Sequence, residues 1–219
     1  MAEGSLVLWS ARLALIIAGL SGWFWTQRLI ARRPWPAGRI SDGIHQWTEP
    51  LNRRLRERPR LANGLLISTS AVIDALGLFL LVSSIFGPSL RPFLGLLILY
   101  VLRQICQGLC ALPPPEGMIW RHPGFPSLLV TYGTASDLFF SGHTAIAVYG
   151  AVELARLGGP IFITLGVAIA LIQAATVLVL RAHYTMDVFA AIVTGLLAAV
   201  VADEIAPICD RALAILLTW

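Results

Sequence analysis

The sequence has no lysine. All sixteen basic residues are arginine, a bias that says more about genome composition than about mechanism. Charge of any kind is scarce: 13% of the 219 residues are charged, 57% are hydrophobic, and the mean hydropathy is +0.77. Soluble domains carry roughly 45–50% apolar residues, so that class is excluded. Three cysteines argue against a disulfide framework and against a structural zinc site. Cys106 and Cys110 read as buried thiols on one helix face, too awkwardly placed to close on each other. Four histidines are fewer than membrane di-iron enzymes use. There is no internal repeat, low-complexity segment or nucleotide-binding glycine loop, and nothing suggests a nucleic-acid partner. The first apolar segment lacks a basic leader and a small-residue cleavage site, so it does not read as a signal peptide.

What remains is apolar length. Residues 5–27, 61–86, 92–111, 137–157, 160–180 and 186–202 each approach the roughly 20 residues that cross a bilayer. The expected fold is therefore all-α, a multi-pass membrane bundle of about six spans, with residues 1–219 forming one domain. The first span is broken by Arg12 and ends in an aromatic belt, Trp23-Phe24-Trp25. Asp74 lies in the second span, where an acid is costly unless paired; a hydrogen bond to Ser or Thr of a neighbouring helix is the expected partner. Gly195 suits close packing of the last span, and residues 203–219 form a mildly amphipathic tail.

Two connecting segments are polar. Residues 28–60 hold nine of the sixteen arginines. Pro34 and Pro36 break any helix early; beyond them Ile44, Trp47, Leu51 and Leu55 recur on one face. That pattern predicts an amphipathic helix on the membrane surface, its basic side suited to anionic headgroups. A solvated connector accounts for the same residues. Residues 112–136 form a loop rich in Pro and Gly, a candidate lid in which Arg121 and His122 either touch phosphate or are ordinary surface charges.

The chemistry-bearing stretch runs from Asp137 to Asp187. It opens with Asp137-Leu-Phe-Phe-Ser-Gly-His-Thr144 and closes with Arg181-Ala-His-Tyr-Thr-Met-Asp187. Two spans separate these motifs, so a helical hairpin returns them to one membrane interface. His183 and Asp187 share a helix face, where a carboxylate fixes the imidazole tautomer and frees the other nitrogen as a nucleophile. Ser141 and Gly142 open a helix whose first amides suit phosphate oxygens. His143 then serves as acid and base.

Phe140-Ser-Gly-His-Thr144 with His183-Tyr-Thr-Met-Asp187 resembles the sphingomyelin synthase branch of the type 2 phosphatidic acid phosphatase superfamily. It also resembles the plant phosphatidylcholine:diacylglycerol cholinephosphotransferases, to which Arg103 with Leu112-Pro-Pro-Pro115 and the Arg-x-His-Tyr-Thr of residues 181–185 are similar. Asp137 looks more like the sphingomyelin synthase pattern. The usual phosphatases of that superfamily carry a Lys-rich first motif, absent here, and an arginine where this chain has Val177.

The resemblance implies transfer of a phospho-headgroup from a phospholipid to diacylglycerol or ceramide through a phosphohistidine. The catalytic set is His143, His183 and Asp187, with Ser141, Gly142, Arg181, Arg103 and Asp137 binding substrate, and no cofactor or metal required. The alternative is a hydrolase using the same residues with water as acceptor. A metal triad of His143, His183 and Asp187, or a non-catalytic lipid transporter or scaffold, are the remaining readings. Headgroup, acceptor, oligomeric state and host membrane stay open. The charge bias puts the site face in the cytoplasm, whereas the resemblance implies the lumenal or exterior side.

Overall fold

The computed structural model describes residues 2–32, 38–132 and 138–217, with side chains from Ser5 onward. Within them lie eight helices and no strand: α1 (Ala2–Ala31), α2 (Gly43–Trp47), α3 (Glu49–Glu57), α4 (Pro59–Phe86), α5 (Arg91–Leu109), α6 (Gly142–Ala155), α7 (Pro160–Val179) and α8 (Thr185–Leu216). Pro34, Pro36 and Asp137 lie outside the described residues.

Five helices are long and apolar enough to cross a membrane: α1, α4, α5, α7 and α8. The expected fourth span is different. α6 has 14 residues, about 21 Å at 1.5 Å per residue, short of the ~30 Å hydrocarbon core. It begins at Gly142, not 137, because the Ser141 hydroxyl accepts the Thr144 amide and caps the helix there. α6 is also the hub of the bundle, packing on α4, α5, α7 and α8. Every residue from His143 to Gly150 is buried, so its first turn is enclosed by the neighbouring helices.

Small residues allow the close approaches. A Cβ on Gly95 of α5 would lie 2.1 Å from the Tyr149 ring, and one on Gly195 of α8 would lie 3.0 Å from Val148. The expected packing role of Gly195 is therefore met. The tail expected at 203–219 is no separate element: α8 runs on as one helix through Pro207 to Leu216. The thiols are less enclosed than expected, since Cys110 is exposed and Cys106, packed at the edge of the core, is only half-buried. Of the aromatic belt, Trp25 is outward, but Trp23 is buried and stacked on Tyr100.

Successive long helices run up and down. The segments around 38–58, 110–132 and 180–184 meet at one end, tied by Asn52 Nδ2 donating to the Gly117 and Val179 carbonyls and by the Ile119 amide on the Leu180 carbonyl. The turns 87–90 and 156–159 lie at the other end with the start of α1 and the far half of α8.

Candidate active site

The second motif sits on a tight turn between α7 and α8, with Arg181 at φ 54° and α8 opening at Thr185. The helix start is fixed by Asp187, whose Oδ2 accepts the Tyr184 amide at 2.8 Å. His183 is buried just before it. Its Nδ1 lies 2.7 Å from the Leu138 carbonyl oxygen. A carbonyl can only accept, so Nδ1 carries the proton and Nε2 keeps a free lone pair. Asp187 Oδ2 is 3.6 Å from the same Nδ1, too far for a hydrogen bond. The spacing of four placed these groups together as expected, but the tautomer is set by Leu138. The fully buried carboxylate supplies charge instead.

His143 is in the first turn of α6, buried, with its ring edge-on to Trp120 at 5.2 Å and its Nε2 without a hydrogen-bond partner. Ser141 is fully enclosed, its hydroxyl occupied by the Thr144 amide and Oγ1. It therefore builds the helix start and lines no cavity. Gly142 does: a Cβ there would stand 3.2 Å from Arg103 Nε, so any larger residue would push the guanidinium off the backbone by a few tenths of an ångström. The capped Thr144 amide leaves those of Gly142 and His143 at the open helix end.

His143, His183, Arg103 and Gly142 line one cavity of about 50 Å³, with Trp23, Tyr100 and Trp120 among its walls. A water needs roughly 10–15 Å³ by the same measure, so the space suits a phosphoryl group. Arg103 also donates to the Phe140 carbonyl, 3.1 Å from Nε. The expected Arg181 is elsewhere. Its guanidinium donates to the Glu116 and His45 carbonyls and pairs with the Glu49 carboxylate, beside a separate open groove lined also by Arg39, Asp42 and Arg56. Arg121 and His122 are exposed and line neither space; Arg121 bonds Asn63 and His122 accepts the Gly124 amide. Among the described residues no three His, Cys, Asp or Glu side chains converge as metal ligands, so the triad reading finds no such cluster.

The structure brings in residues the pattern did not single out. The surface helix is broken at Thr48 into α2 and α3, and only Trp47 and Leu51 of its apolar face are exposed; Leu55 packs inward. Its polar residues grip the second motif at alternate positions. His45 Nε2 donates to the His183 carbonyl at 3.0 Å, and Asp42 accepts the Thr185 amide and hydroxyl at 2.6 and 2.7 Å. Burial opposes the charge on Asp42, but the hydrogen bonds from Thr185 and the His45 amide outweigh it and hold its carboxyl below the usual range. Burial pushes the His45 imidazole down, against the pull of Asp42. The one local hint was a histidine three residues from an aspartate in an arginine-rich segment. Asp74 does not take the expected Ser or Thr partner: it accepts the Leu128 and Leu129 amides, both at 2.8 Å, and pins the loop whose Leu129 lines the cavity.

Fold and site together define an all-helical membrane protein with two imidazoles and a guanidinium on a single buried cavity. The family model AtPDCT1/2 matches residues 42–206, and the chain belongs to that plant phosphatidylcholine:diacylglycerol cholinephosphotransferase family. It is thus placed among lipid phosphotransferases. No curated protein and no solved structure matches the chain.

Proposed function

We propose that the chain acts as one multi-pass integral membrane domain that moves phosphocholine from phosphatidylcholine to diacylglycerol by double displacement. His183 Nε2 attacks phosphorus, the P–N bond forms, and the P–O bond to the departing diacylglycerol breaks. His143 gives that oxygen its proton. The N-phosphorylated ring, still protonated at Nδ1, is cationic, and the Asp187 carboxylate 3.6 Å away offsets that charge. A second diacylglycerol then gives its hydroxyl proton to His143 and attacks phosphorus; the P–N bond breaks and His183 is restored. Arg103 balances the phosphoryl oxygens. The apolar surroundings favour a lipid alcohol over water as acceptor.

The observation that carries this reading is the shared cavity of His143, His183 and Arg103, with His183 Nδ1 committed to the Leu138 carbonyl. Arg181, Ser141 and the Asp42–His45 pair position the motifs without touching the headgroup. The test is reconstitution with headgroup-labelled phosphatidylcholine plus diacylglycerol or ceramide, followed by lipid chromatography. With an acceptor diacylglycerol whose acyl chains differ from the donor's, label in phosphatidylcholine carrying the acceptor's chains is the expected outcome. Label in a ceramide product changes the acceptor, and free phosphocholine with no new lipid makes the protein a hydrolase.

A further inference from the structure

Three buried polar atoms with no hydrogen-bond partner among the described residues belong to residues that line the same cavity: Trp23 Nε1, Tyr100 Oη and His143 Nε2. Their residues are 6%, 5% and 7% exposed. Native structures rarely leave such atoms unpaired without a reason. His143 has one in the proposed reaction. Trp23, on α1, and Tyr100, on α5, have none so far, and Trp23 lies outside the residues matched by the family model.

Two ligand chemistries suit aromatic walls. A quaternary ammonium needs an open ring face. Here one face of each ring is taken by the other: Trp23 and Tyr100 stack with centroids 4.4 Å apart and planes 12° from parallel, and Phe24 lies tilted against Trp23, also at 4.4 Å. The edges of the stack carry one N–H and one O–H. The indole N–H can only donate and the phenol donates readily, so their common partner is an acceptor-rich group. The Arg103 guanidinium on the same cavity selects an anion.

We infer that Trp23 and Tyr100 are oxyanion donors: their N–H and O–H bind the phosphoryl oxygens of the headgroup undergoing transfer. This rests on the proposed reaction for its substrate, while the anion site itself does not. As charge gathers on the oxygens in the pentacoordinate state, two fixed donors in a water-poor cavity stabilise it without reorganisation. The stack pre-sets both groups, since neither ring can turn without losing the other. α1 thereby becomes part of the site and not merely an anchor.

The test uses the full chain in vesicles with Trp23→Phe and Tyr100→Phe, which keep an aromatic ring and delete only the donor. Orthovanadate, a five-coordinate phosphoryl mimic, is the binding probe, with headgroup transfer and the thermal unfolding midpoint measured beside it. Each variant is expected to lower kcat at least ~10-fold and to weaken vanadate binding to a similar degree. The unfolding midpoint should stay or rise, because an unpaired buried group has been removed. Wild-type kcat and vanadate affinity in both variants would overturn the inference, as would wild-type protein that binds no vanadate. Activity lost only in step with the unfolding midpoint assigns the pair to packing and overturns it too. Vanadate binding lost in the variants of a protein that transfers no headgroup supports the anion site and sinks the proposed reaction instead.

Discussion

The two ends of the bundle are both polar and both partly buried, yet they put their polar groups to different use. At the end away from the site Arg12, Arg91 and Arg156 tie helices together through carbonyls and acids. Among the described residues, the buried atoms left without a hydrogen bond there, Arg12 Nε and Glu153 Oε1, belong to ion-paired groups. Arg12 donates to the Ser84, Gly87 and Pro88 carbonyls and pairs with Asp210, tying α1 to the end of α4 and to α8. Arg91 bridges Glu153 and Asp203, and Arg156 bridges the same two acids. At the other end, Trp23, Tyr100 and His143 keep polar atoms unpaired around a cavity, and His183 has only one nitrogen committed. Paired charge closes helix ends and holds a bundle together. Unpaired polarity costs roughly 1–3 kcal/mol per group, and selection retains it where a ligand completes the bonding.

That contrast can be broken by substitution. The largest effect belongs to His183→Ala, which should cut headgroup transfer by roughly 10³-fold or more, about 4 kcal/mol of barrier, with little change in thermal unfolding. Arg91→Met should do the reverse. It leaves Arg156, at 3.5 Å, as the remaining arginine paired with the buried Glu153, so stability measured by denaturant unfolding falls by ~3 kcal/mol, while transfer per folded molecule is unchanged. Asp187→Asn keeps an oxygen for the Tyr184 amide but removes the charge facing the phosphorylated ring. A fall of about 10²-fold in kcat with KM unchanged is expected from transfer assays.

The smallest effect is one of pH, at the grip of α2 on the second motif. His45 is pushed below its ordinary value of 6.5, so the native state resists a proton that the unfolded chain accepts. Its contribution is full above 6.5 and declines as pH falls below it. Asp42 has a lowered value, so its contribution is full above 3.8 and constant through that window. Arg181 and Asp187 also face His45. The decline between about pH 7 and 5 should therefore disappear in His45→Gln, read by hydrogen exchange across residues 43–57.

Much of this was legible in residue order. Five spans follow from apolar length, because a bilayer demands it whatever the packing. His183 and Asp187 fall together because four residues make one helical turn. α6 was overread by five residues at its start, since apolar Leu138–Phe140 continue the hydrophobic pattern while Ser141 caps the helix after them. The tail was underread because the apolar run stops at Asp203 and Glu204 while the helix continues through them to Leu216. Contacts across the chain left no local trace: Leu138 to His183 spans 45 residues, and His45 to His183 spans 138. Arg181 looked like a phosphate ligand by motif, yet its backbone turn at positive φ carries the guanidinium to Glu49 instead.

One measurement reaches the centre of the account. Protein quenched during turnover of headgroup-labelled phosphatidylcholine, without added acceptor, is digested and examined by mass spectrometry for an acid-labile phosphocholine adduct. The account predicts the adduct on His183, discharged when diacylglycerol is supplied and missing in His183→Ala. Transfer at full rate with His183 unlabelled, or an adduct that survives His183→Ala, would contradict it.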